Sequence, residues 1–122
     1  EQDHLSWCRQ RLDQLDARAS IFDPLFYGAS FALGMGAGLL GDRISLGFVE
    51  ATEDQVVKHL EEHLATLPEQ DGKSRMILEE MRVDESLHGA NALEQGGSIF
   101  PRPLKNVMSL VSKAMTHTTY RI

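Results

Sequence analysis

Apolar and polar positions alternate along the 122-residue chain with a period near ~3.6, the mark of helices that bury one face. Over roughly 1–17, Leu5, Cys8, Leu12 and Leu15 form a stripe, with Asp and Arg on the remaining positions. "ASIFDP" then interrupts the pattern, and Pro24 reads as the first position of a new helix with Asp23 as its N-cap. An amphipathic helix follows over about 44–66, "SLGFVEATEDQVVKHLEEHLATL", and Pro68 stops it. The next spans about 72–95, "SRMILEEMRVDESLHGANALEQ", and ends at Gly96-Gly97, a usual C-cap signal. Pro101 and Pro103 open a last helix whose Leu104, Val107, Met108, Val111 and Met115 make one apolar face. Asn-Gly or Asp-Gly turns between alternating strands are missing, since Asp71-Gly72 lies between two helical stretches. The chain therefore reads as all-α, and its short connections favour an antiparallel helix bundle.

One segment departs from amphipathicity. From Pro24 to Gly41, "PLFYGASFALGMGAGLLG" carries no charge. As a helix rising roughly 1.5 Å per residue it is about 27 Å long, near the lower limit for crossing a bilayer. Its glycines weaken a helix in water and permit close approach of backbones, as small residues do between membrane helices. Three readings stand open: a buried bundle helix, a segment dipping into one leaflet or lining an apolar tunnel, and a true membrane span.

Size and charge narrow the function. A chain of this length holds one core, so residues 1–122 read as a single domain. The net charge of -6, without any Lys/Arg cluster, excludes the electrostatic footprint of a nucleic-acid binder. A single cysteine, Cys8, forms no internal disulfide and fits a reducing compartment. The opening "EQDHLSW" lacks the basic start and apolar run of a signal peptide, and also an initiator Met, so a processed or truncated chain is expected.

Candidate chemistry sits in repeated spacings. "VDESLHG" sets Glu85 and His88 one helical turn apart, and "EQDH" repeats the spacing at Glu1 and His4. A single Glu-x-x-His is commonplace on acidic helices. Two on two helices match the pattern of a bundle that holds two metal ions, each helix aiming a carboxylate and an imidazole inward, with lone Glu residues from other helices. Carboxylates neutralise the ions and imidazoles complete an oxygen-rich shell suited to iron. Glu53 is the preferred lone Glu, because Val49, Val56, Val57 and Leu60 surround it on an apolar face; Glu50 is held in reserve. Two alternatives remain: both carboxylates simply face water, and "HLEEH", with His59 and His63, matches the H-x-x-E-H pattern of inverted zinc peptidases, though without a third ligand. Asp84 is a candidate partner for His4 on the opposing helix, taking the ring's second nitrogen, and an ordinary surface aspartate is the other reading.

Together, "GDRISLGFVEATEDQVVKHLEEHLATLP", "SRMILEEMRVDESLH" and "RPLKNVMSLVSKAMTHTTYRI" resemble the bacterial branch of the demethoxyubiquinone hydroxylase family, over essentially the whole chain. The resemblance implies a ferritin-like, membrane-associated monooxygenase with two iron ions that hydroxylates the ring of demethoxyubiquinol in ubiquinone biosynthesis. It implies Glu1, His4, Glu53, Glu85 and His88 as metal ligands, with Asp84 behind His4 and His59 near the substrate or reductant path. It also implies a quinol lipid and O2 as reactants, a peripheral position on the cytoplasmic side of the cell membrane, and a homo-oligomer or an accessory lipid-binding protein as partner. The family's first helix, with its own Glu, has no counterpart here, so three carboxylates face two ions and an uncovered apolar seam is expected. A ferritin-like iron-binding oxidase without a quinone substrate and a non-enzymatic scaffold bundle are the competing classes; in the scaffold the five donors diverge.

Overall fold

The computed structural model describes residues 1–122 and contains five helices and no strand: α1 (Gln2–Gln14), α2 (Asp23–Leu39), α3 (Asp42–Thr66), α4 (Gly72–Glu94) and α5 (Arg102–Arg121). The two longest, α3 and α4, form an antiparallel hairpin that is the most extensive helix pairing in the chain. Its turn is closed by local chemistry. The Asp71 carboxylate accepts from the Ser74 amide at 3.1 Å and caps α4. Arg75 reaches back to the Leu64 and Leu67 carbonyls at the end of α3, at 3.3 and 3.4 Å, where helix carbonyls have no partner of their own.

Small residues let these helices close. Ala51, Leu60 and Ala92 are buried, and only Leu60 among them is large. A side chain at Gly47 would collide with the Ser98 carbonyl and the Phe100 ring, so glycine is required where α3 meets the loop after α4. That loop is fixed by the Ser98 amide donating to the Arg43 carbonyl at 3.0 Å. α1 lies along α4, with Arg11 donating to Ser74 Oγ at 2.9 Å and to Asp71 Oδ1 at 2.8 Å.

Several boundaries differ from the pattern. α1 ends at Gln14 rather than 17, because Asp16 takes a left-handed backbone at φ 52°. Phe22, not Asp23, is the N-cap of α2; the Ser20 hydroxyl accepts from the Phe22 amide at 3.2 Å and shapes the entry, which moves Asp23 into the first turn. α3 begins two residues before 44, since Gly41, at φ 104°, supplies the break.

Two larger differences concern exposed surface. Only Ala37 of α2 is buried, while Leu25, Tyr27, Phe31, Leu33, Met35 and Leu39 are exposed, so α2 is not a buried bundle helix. No helix is long and apolar enough to cross a membrane, which removes the spanning reading. In α5, Leu104, Val107 and Val111 of the expected core-facing stripe are exposed instead. The reason is the Lys105 ammonium, 3.1 Å from Glu50 of α3, which turns the polar side of α5, with Ser109, Ser112 and Thr116, toward α3.

Candidate metal centre

Glu53 points from the middle of α3 toward α4, where Glu85 and His88 stand one turn apart, and the start of α1 brings in Glu1 and His4. The α3–α4 contact is close here, and a Cβ at Gly89 would lie at an ordinary 3.5 Å from Glu53 Cβ. One donor atom each from Glu1, Glu53, Glu85 and His88 falls within 4.8 Å of all the others. Three separate stretches of sequence thus meet at one point.

Glu85 is the hub. Its side chain is 4% exposed; Oε1 lies 3.0 Å from His4 Nδ1, and Oε2 lies 3.0 Å from His88 Nδ1. His88 Nδ1 is also 3.5 Å from Glu1 Oε1 and 3.9 Å from Glu53 Oε1. His4 stands one step outside the four-residue group, and its Nδ1 faces both Glu85 and, at 3.9 Å, Glu1. Its other nitrogen, Nε2, is 2.8 Å from Asp84 Oδ2. The Trp7 ring packs beside it at a centroid separation of 5.4 Å.

The electrostatics are those of too many carboxylates in too little space. Burial, then a hydrogen bond to and repulsion from Glu85, push Glu53 from its ordinary 4.5 up to about 8. Burial would raise Glu85 as well, but hydrogen bonds from Glu53 and His88 and the charge of His4 outweigh it and hold this carboxyl below its ordinary value. Burial disfavours the His4 cation, yet Asp84, Glu85 and Glu1 together raise its pKa. The crowding that raises Glu53 is the kind that a bound cation relieves. The donor set is oxygen-rich with imidazole nitrogen, and the cluster opens on the side of Glu1 and His88, whose side chains are 70% and 40% exposed. These residues fit a divalent metal site.

The remaining candidates lie elsewhere. Glu50, the reserve carboxylate, is engaged by Lys105 rather than facing the cluster. The residue that sequence reasoning missed is Lys105, which no local pattern distinguishes from the other cations of α5. His59 stands two turns beyond Glu53 on another face of α3, packed edge-on against His63 at a ring separation of 4.3 Å, and is not brought to the cluster. Neither is His63, and no third side chain joins them in the manner of a zinc peptidase. A crevice between α3 and α4 includes Glu85 in its lining, with Val57, Ala90 and Leu93 alongside Glu50 and Asp54.

Comparison with known proteins places this geometry in a family. The family model described as "Ubiquinone biosynthesis protein COQ7" matches residues 1–119. The chain is 62% identical over 122 residues to proteins named 3-demethoxyubiquinol 3-hydroxylase from Pseudomonas paraeruginosa and Azotobacter vinelandii, and 61% identical to that of Pseudomonas aeruginosa. Each match covers 100% of this chain and 57% of the relative, so the chain spans little more than half the length of these proteins. No solved structure matches.

Proposed function

The chain belongs to the COQ7 family of ubiquinone biosynthesis proteins, a family of ferritin-like helical bundles, and from that premise we propose that it carries the larger part of a di-iron centre that hydroxylates the ring of demethoxyubiquinol. Glu1, His4, Glu53, Glu85 and His88 would hold two iron ions within a single ferritin-like domain. The observation that carries the reading is the convergence of Glu1, Glu53, Glu85 and His88, whose donor atoms lie within 4.8 Å of one another. When bound, the iron pair supplies activation of O2 for insertion of one oxygen atom into the quinol ring.

The side chains have distinct parts in this scheme. Glu53, whose pKa is raised beside Glu85, would lose its proton on metal binding and serve as a carboxylate ligand. In the metal-free chain Glu85, buried and held below its ordinary pKa, faces both imidazoles with its two oxygens, and on loading those oxygens and the Nδ1 atoms they face would turn to the ions instead. Asp84 accepts from His4 Nε2, which leaves His4 Nδ1 directed at the cluster. Val57, Ala90 and Leu93 give the crevice at Glu85 an apolar patch beside the carboxylates of Glu50 and Asp54. A polyprenyl tail resists transfer through water by ~0.8 kcal/mol per methylene, so the substrate would be met at a membrane surface. The exposed apolar residues of α2 support peripheral attachment there, on the cytoplasmic side, and the open faces of α2 and α5 suit a second copy or an accessory lipid-binding protein.

Anaerobic loading with Fe(II), followed by quinol and isotopically heavy O2, tests the reading. About two irons per chain and one heavy oxygen in the product are expected. Iron bound and oxidised with the quinol unchanged would point instead to an iron-binding oxidase, and no bound iron would rule out the centre.

A further inference from the structure

We propose that His59 and His63 form a second metal site, a two-imidazole chelate for one borderline divalent ion of the late first row, separate from the Glu53–Glu85 cluster. The two Nε2 atoms lie 3.0 Å apart across one turn of α3. With metal–nitrogen bonds of roughly 2.0–2.1 Å, an ion bound to both would subtend about 95°, the cis angle of tetragonal or octahedral coordination. A metal ion would replace the proton that one Nε2 now shares with the other.

Three features of the surroundings favour metal over a bare histidine contact. Glu62 Oε2 lies 4.0 Å from His59 Nδ1, behind the ring, where a carboxylate favours the proton on Nδ1 and leaves Nε2 bare. Burial and the neighbouring His63 hold His59 below its ordinary pKa, so its lone pair is available at neutral pH. The groove in front of the rings is open and lined from α5 by His117, Thr116 and Thr119, with room for water ligands; Lys113 is its one cation. Neither ring is among the residues whose donor atoms converge at Glu53 and Glu85.

Cu2+ is the probe, because electron paramagnetic resonance counts imidazole nitrogens directly, with Zn2+ as diamagnetic competitor. The unaltered chain is expected to bind one more equivalent of Cu2+ than His63→Gln or His59→Gln, with the lost signal carrying two imidazole nitrogens and displaced by Zn2+. Both rings are partly or fully exposed, so circular dichroism of the variants should match the parent. Glu62→Gln should keep the equivalent and weaken it roughly 10- to 100-fold. Equal stoichiometry in the parent and both histidine variants would overturn the site. So would a difference signal with a single imidazole, and Glu62→Gln binding as the parent does would overturn the role of the carboxylate.

Discussion

His4 Nε2 lies 2.8 Å from Asp84 Oδ2, while the opposite nitrogen of the same ring faces Glu85 Oε1 at 3.0 Å. The imidazole is held between consecutive residues of α4, one at each nitrogen. Replacing Asp84 with Asn preserves the shape and removes the charge, so iron affinity should fall roughly 10- to 100-fold. The pKa of His4 in the metal-free protein should drop as well, since Asp84 is one of the groups that raise it. An Fe(II) titration and an NMR titration of the ring check the two halves separately.

Stability of the metal-free protein should fall as pH rises from about 4.5 to about 8. Glu53 keeps its proton in the folded chain up to about 8, against an ordinary 4.5, so the folded form binds a proton that the unfolded form has already lost. Its contribution is fully present below 4.5 and gone above 8. His4, whose pKa is also raised, acts in the same direction as its folded form deprotonates. Glu85 acts oppositely: its contribution is present above 4.5 and is lost as pH falls through its depressed value. Urea unfolding across this range should show the decline, and Glu53→Gln should flatten it.

Two helical glycines should respond to alanine with opposite signs. At Gly89 a Cβ meets Glu53 Cβ at an ordinary 3.5 Å, so Gly89→Ala should stabilise by about 0.5–1 kcal/mol through helix propensity. At Gly47 the same methyl meets the Ser98 carbonyl and the Phe100 ring, so Gly47→Ala should destabilise by about 1–3 kcal/mol. Thermal unfolding of the two variants side by side decides both.

Glu85→Gln should abolish most iron binding while leaving helicity intact. The amide fills the same space but cannot neutralise a cation, and it fixes the two imidazoles less strongly. Glu53 should also titrate lower in this variant, because repulsion from Glu85 is among the causes of its elevation. Iron per chain and circular dichroism on one preparation separate loss of the centre from loss of the fold.

Helices were legible because each carries its own period and punctuation: Pro68, Gly96 and Pro101 fall where α3, α4 and α5 end or begin. The repeated Glu-x-x-His spacing marked Glu1, His4, Glu85 and His88 as candidates and the apolar face marked Glu53, with solvated carboxylates as the open alternative until the family resemblance was added. The structure brings donors of Glu1, Glu53, Glu85 and His88 within 4.8 Å. Orientation about a helix axis was not legible when two faces competed. The Leu104–Val107–Val111 stripe pointed α5 inward, yet Lys105 had a partner in Glu50, fifty-five positions away, that no local pattern announces. The position of Asp84 against His4 was open between two readings for the same reason, since it depends on which helix lies opposite.

α1 is tethered to α4 at two places, His4 near its start and Arg11 near its end. About 10 Å of helix separates these anchors, at roughly 1.5 Å per residue. The first tether is made of donors suited to iron and the second is not. Cutting the Arg11 clasp should therefore leave α1 held by the His4 contacts alone, which bound metal would tighten, so amide exchange in this one helix would slow on loading and become a reporter of occupancy.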